Sequence, residues 1–200
     1  MQKIMFNDRY GLTQAVIEGR KTMTRRVVKI NSNSSVSVRI FAGYIQIVND
    51  EGRTCDERKL PYRVGEVVAV AQRYADIPDL AEQARDPFSE TYFEEEDIGA
   101  EPGWCNKMFV KADLMPHRIR ITGVRCERLQ DISDEDCLKE GINASNSHEI
   151  GYGIPWVYEF AGSKMVYYTP REAFAALIDK VFGRGTWGLN PWVVVYEFNL

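Results

Sequence analysis

The chain contains no run of about 18 or more apolar residues, the length a membrane-spanning helix needs. Its opening residues, Met1 to Asp8, mix amide, cation and acid where a secretion signal carries an apolar core. A cytoplasmic protein without a membrane partner is therefore expected. Histidine is scarce, with only His117 and His148 in 200 residues and neither in an H-x-x-x-H or H-E-x-x-H pattern. A histidine-based metal site is excluded on that spacing. Cys55, Cys105, Cys126 and Cys137 lie far apart with no C-x-x-C pair, which removes zinc ribbons and disulfide frameworks from consideration. Reduced thiols, no metal and no cofactor are the expectation. Net charge is also small, −4 with pI near 5.4, so indiscriminate coating of duplex nucleic acid is not expected. Repeats and low-complexity segments are missing, and 44% hydrophobic content over 200 residues suits one domain spanning 1–200.

What is present is a strong asymmetry of charge. Residues 1–30 hold Lys3, Arg9, Arg20, Lys21, Arg25, Arg26 and Lys29 against Asp8 and Glu18, whereas residues 76–101 are acidic against Arg85 alone. The acidic stretch repels polyanions, so any nucleic acid is expected on the face carrying Lys21 to Arg26, joined by Arg118, Arg120, Arg125 and Arg128. The run Gly19-Arg20-Lys21-Thr22-Met23-Thr24-Arg25-Arg26 gathers four cations and two hydroxyls just after Leu12, Ala15 and Val16, which recur at helical spacing. Arg20 and Lys21 at a helix C-terminus can simply complement the helix dipole, worth roughly 0.3–1 kcal/mol. Four cations exceed that need, and a phosphate, carboxylate or nucleotide would use them all.

Elsewhere the pattern is strand-rich. Val27–Ile30 reads as a strand, Val36–Ile40 and Tyr44–Val48 as a hairpin about Ala42-Gly43, Val67–Ala71 as a central strand, and Met108–Val110, Arg118–Val124 and Trp192–Phe198 as further strands. Three helices interrupt them. The first leads to Gly19, the second is capped by Ser133 and runs to about Glu140 before Gly141, and the third opens with the capping box Thr169-Pro170-Arg171-Glu172 and stops at Gly183. Residues 76–106, with Pro78, Pro87 and Pro102, and residues 143–168, with many aromatics, read as irregular insertions. The aromatics of the second insertion can stack bases or anchor the loop to the core.

Taken together, the Gly19–Arg26 loop, Val64-Gly65-Glu66-Val67-Val68, Arg128-Leu129-Gln130-Asp131-Ile132 with Ser133 to Gly141, and the closing Trp187 and Asn190–Phe198 stretch resemble the activating signal cointegrator homology (ASCH) domain family, in its phage- and prophage-associated branch. The resemblance implies an α+β fold, a small PUA-like mixed β-barrel with about three helices and the two insertions. It also implies a cleft beside the G-R-K-T-x-T loop, and nucleoside, nucleotide or single-stranded RNA partners bearing a modified base. Arg20, Thr22, Arg25 and Arg26 are then ligand-binding candidates, with Gln72 and Tyr74 lining the cleft where relatives carry a glutamate and an aromatic.

One type within that family removes the acyl group from N4-acetylcytidine, and its pattern implies a catalytic set of Lys21, Thr24 and Glu140. A threonine hydroxyl becomes a nucleophile when a neutral, desolvated lysine takes its proton, and a glutamate can orient that lysine or carry the proton to the leaving amine. Three functions follow as expectations: a nucleotide- or RNA-binding module, an amidohydrolase acting on an N4-acylated cytidine-like nucleoside, and a phage accessory scaffold that only contacts other proteins.

Overall fold

Apolar residues at helical spacing and strong caps account for the helices. In the computed structural model, which describes residues 1–30, 35–77, 102–146 and 155–200 together with Asp79 and Glu82, the expected three appear as α1 (Leu12–Ile17), α3 (Asp134–Lys139) and α4 (Pro170–Phe182). Thr169 Oγ1 accepts from the Glu172 N–H at 3.1 Å and Glu172 returns the bond to the Thr169 N–H, so the capping box forms as the sequence specifies. Two four-residue helices, α2 (Pro102–Cys105) and α5 (Thr186–Leu189), bring the described total to five rather than three. One turn is too short to carry a periodic signal.

By its contacts the chain divides into two units. Met1–Phe6, Val67–Ile119 and Leu200 make the smaller one. In it, β1 (Lys3–Ile4) runs parallel to β6 (Val67–Val70), whose Val68, Ala69 and Val70 are fully buried, as a strand apolar on both faces requires. Ala69, Ala71, Ile77, Val110 and Met115 form its core. Met108–Val110 is not the expected strand. The Lys3 ammonium donates to the carbonyls of Lys107, Met108 and Val110 at 3.0, 2.5 and 2.8 Å, which bends the segment into a turn. The acidic insertion falls almost entirely outside the described residues.

Asn7–Glu66 and Arg120–Asn199 make the larger unit. Its hairpin of β3 (Val36–Phe41) and β4 (Tyr44–Asn49) turns at Ala42 and Gly43, with φ of 49° and 83°, and extends to a third strand, β5 (Thr54–Lys59). β5 is charged and largely exposed, so no apolar alternation announced it. The central sheet of this unit places β10 (Trp192–Asn199) between β2 (Met23–Val27) and β7 (Arg118–Arg128), antiparallel to both. Here the strand expected at Val27–Ile30 lies at Met23–Val27, because β10 pairs with Met23 through Val27 and so draws half of the cationic loop into the ladder. The segment 143–168 is less irregular than expected. It contains the hairpin β8 (Asn143–Asn146) and β9 (Trp156–Glu159), with a further bridge from Tyr158 to Tyr167; residues 147–154 lie outside the described set. No helix among the described residues is long and apolar enough to cross a membrane.

Candidate functional site

Paired residues in an antiparallel sheet share a face, and successive residues alternate between faces. The register therefore sorts the cationic motif into two sets. Arg25 pairs with Val195 and Val195 with Arg125, Met23 pairs with Glu197, and Val27 and Glu127 both pair with Val193. That is one face. Thr24 pairs with Tyr196 and Tyr196 with Val124, while Arg26 and Cys126 both pair with Val194. That is the other face.

On the first face a buried ionic network forms. Arg25, with a side chain only 1% exposed, donates from Nε and Nη2 to Glu127 Oε1 at 3.0 and 2.7 Å, from Nη2 to Asp136 at 3.1 Å, and from Nη1 to Glu140 Oε1 at 3.0 Å and the Met23 sulfur at 3.1 Å. All five N–H donors of the guanidinium are thereby used. Arg125 donates to the second oxygen of Glu127 at 2.8 Å, to Asp136 at 2.6 Å and to Glu197. Gly123 makes room for this arrangement, since a Cβ there would stand 2.8 Å from Glu197 Oε2. The ring of Phe174 on α4 lies 5.9 Å from the Arg25 guanidinium and closes the network from above.

Lys21 joins the same cluster. Its ammonium, 2% exposed, donates to Glu140 Oε2 at 2.5 Å and to the Glu140 carbonyl at 2.7 Å, and the Thr22 N–H donates to the Lys139 carbonyl at 2.9 Å. The motif thus satisfies the orphan carbonyls at the C-terminus of α3, where the dipole favours a cation. Burial lowers the Lys21 pKa, opposed by the charge and hydrogen bond of Glu140. Gly141 ends the helix at φ 100°, and a Cβ there would stand 3.3 Å from Leu12 and 3.6 Å from the Lys21 stem. Lys139 adds a contact to Asp136 at 3.4 Å, so four cations (Lys21, Arg25, Arg125, Lys139) face four carboxylates (Glu127, Asp136, Glu140, Glu197). The network is neutral.

Thr24 is buried on the opposite face, beside Tyr196 and in the set that holds Arg26. The Tyr62 ring meets Tyr196 edge-on at 5.4 Å between centroids. Burial raises both phenol pKa values, and the Arg26 charge pulls both back. Arg26 and Tyr62 are half-buried. Val124, the far end of the Thr24–Tyr196–Val124 row, walls a cavity of about 310 Å³ that is also lined by Ala42, Gly43, Leu60, Arg63 and Val64. That size is at the lower end of small-molecule sites.

The expected site residues therefore separate. Lys21, Arg25 and Glu140 meet in the network; Thr24 and Arg26 face the other way. Arg25 is corrected from ligand contact to internal strut, because no donor of its guanidinium is left over for a ligand. Arg20 is exposed, held by Glu18 and donating to Asn143 at 2.8 Å, on the rim of an open groove of about 660 Å³ with Lys139, Ser145 and Glu159. Thr22 contributes backbone bonds, to Lys139 and from Phe198. Gln72 and Tyr74 belong to the smaller unit. There the Gln72 N–H donates to the Met115 sulfur at 3.2 Å while its buried Oε1 has no hydrogen-bond partner among the described residues, and Tyr74 packs on Gly103, where a Cβ would collide with its ring.

Sequence reasoning missed Glu127, Asp136 and Glu197 as partners of the motif. Asp136 reads locally as a helix-capping acid, and nothing in one-dimensional spacing brings it to Arg25. It also missed Tyr62 and Arg63, although Pro61-Tyr62-Arg63-Val64-Gly65 carries an aromatic, a cation and turn residues in one short loop. Comparison of the chain with protein-family models, with curated proteins and with solved structures finds no match.

Proposed function

We propose that the chain is an ASCH-type, PUA-like nucleotide- or RNA-binding protein whose ligand, bearing a modified base, sits on the face of Thr24, Arg26 and Tyr62. The observation that carries this reading is the row Thr24–Tyr196–Val124, which runs from the G-R-K-T-x-T motif to the wall of the cavity. An unpaired base stacks on an aromatic such as Tyr62 for roughly 1–3 kcal/mol, and a cation such as Arg26 adds phosphate contact. The opposite face supports the strand rather than the ligand, since its charges are matched one to one.

Direct titration tests the reading. Wild-type protein is expected to bind a nucleoside 5′-monophosphate or a short single-stranded RNA, and Arg26→Ala and Tyr62→Ala are each expected to weaken binding by about tenfold or more while leaving the fold intact. Unchanged affinity in both variants would sink it.

A second reading has its own observation. The buried Lys21 ammonium stands 2.5 Å from Glu140, the pair an amidohydrolase of N4-acylated cytidine would need. Register sets Thr24 on the face opposite Arg25, the partner of that same Glu140, which weighs against threonine and glutamate serving one reaction centre. Release of cytidine from N4-acetylcytidine by wild type, abolished in Lys21→Ala, Thr24→Ala and Glu140→Ala, would establish the hydrolase; no release by folded wild type would remove it.

A further inference from the structure

We infer that the cavity takes a phosphorylated nucleoside in preference to the free nucleoside, with Arg63 as the residue that makes the distinction; this rests on the nucleotide-binding reading and names its ligand class. Among the described residues Arg63 is the only charged one lining the cavity, whose remaining walls are Ala42, Gly43, Leu60, Val64 and Val124. Its guanidinium lies over Gly43, with Nε and Nη2 3.4 and 3.5 Å from the place a Cβ would occupy. Among the described residues that guanidinium has no ion pair; only the Arg63 backbone N–H meets a carboxylate, Glu66, at 3.0 Å. Arg25, Arg125, Arg20 and Arg73 rest on carboxylates, whereas Arg63 presents an exposed guanidinium beside an apolar hollow.

The loop that carries it is fixed in place. The Glu66 N–H donates to the Arg63 carbonyl at 3.0 Å, Gly65 adopts φ 87°, and the Gly65 N–H donates to the Ile121 carbonyl of β7 at 2.8 Å. Arg120 closes the other side by donating from Nη1 to the Gly65 carbonyl at 3.0 Å. The loop 61–66 thus carries the Arg63 guanidinium and receives that of Arg120, with Glu66 as its one carboxylate. In a chain whose net charge is −4, such a local excess of positive charge attracts a dianionic phosphate. Arginine suits that role because its planar fork grips two phosphate oxygens at once, and fixing the loop beforehand removes part of the entropic cost of binding.

The test compares adenosine, cytidine, guanosine and uridine with their 5′-monophosphates by calorimetric titration of the full chain. At least one monophosphate is expected to bind tenfold or more tightly than its nucleoside, with a preference that shrinks as salt rises. Arg63→Ala should abolish the preference, bringing the monophosphate down to the affinity of the nucleoside, and Arg63→Lys should keep part of it. Tyr62→Ala should weaken nucleoside and monophosphate alike. If nucleoside and monophosphate bind equally to wild type, or Arg63→Ala keeps the preference, the assignment of Arg63 falls while the binding reading stands. If none of the eight compounds binds the folded protein, the assignment of Arg63 falls, and the titration with single-stranded RNA decides the binding reading separately. Arg63 is exposed, so its variants should melt with the wild type, and a shared melting temperature excludes misfolding as the cause.

Discussion

Arg25 and Arg26 are neighbours in sequence and opposites in circumstance. Arg25 points into a network of four cations and four carboxylates, with every donor used and almost no exposed surface. Arg26 points to the other face, half-buried and in the set of Thr24 and Tyr196, on the side where Arg63, with no ion pair among the described residues, lines a cavity. Charge density therefore does not by itself mark a ligand site. Where carboxylates match the cations one to one, the charge holds strands and a helix end together; the proposed ligand face is the one that carries Arg63.

The contrast breaks most visibly at Glu140. Glu140→Ala removes the carboxylate shared by Lys21 and Arg25 and leaves two buried cations short of partners, so unfolding free energy should fall by about 3–5 kcal/mol in urea titration. A loss under about 1 kcal/mol would mean that the network relaxes freely and does not hold the fold. Gly141→Ala forces a side chain into φ 100° and against Leu12, and should cost about 1–3 kcal/mol by the same measurement.

Acid should dismantle the first face in a defined direction. Burial disfavours the Asp136 carboxylate, but the hydrogen bond and charge of Arg25, with the charge of Arg125, outweigh it and hold its pKa below the usual range. A lowered folded pKa means stability that is present above the unfolded value of about 3.9 and lost as pH falls through the folded one. Asp136→Asn should therefore show a flatter fall in stability below about pH 4 than wild type does. Parallel curves would show that Asp136 is not linked to acid unfolding.

Smaller effects sharpen the other side. Arg26→Ala should change stability by less than about 1 kcal/mol, far below Glu140→Ala, while reducing ligand affinity. Burial pushes the Cys137 thiol up to about 12 and the Cys126 thiol to about 11, so a thiol reagent at pH 8 should label the exposed Cys55 and Cys105 first. Fast labelling of Cys137 would reveal that α3 opens in the native state.

Local chemistry was legible wherever one segment contained its own reason. Thr169-Pro170-Arg171-Glu172 specified a helix start, Ala42-Gly43 a tight hairpin, and Val67–Ala71 a buried strand; the first two formed, and the strand formed over Val67–Val70. The site was less legible. Alternation along Arg118–Val124 suggested one arginine-bearing face, but Arg125 reaches that face only because the pairing of β7 with β10 slips by one residue between Glu197 and Phe198. Likewise the loop Gly19–Arg26 looked like a single cationic surface, because spacing cannot reveal that β10 will pair with half of it and split it by face.

By itself, then, the sequence determined an α+β chain with three capped or periodic helices, a hairpin, a buried apolar strand and a concentration of cations after α1, because those depend on backbone propensity, capping and apolar period over a few residues. Only the tertiary structure decided which cations are matched. Glu127, Asp136, Glu140 and Glu197 come from strands and a helix more than a hundred residues beyond Arg25, and long-range strand register, set by burial and the hydrogen-bond ladder, chose the face on which each charge would find its partner.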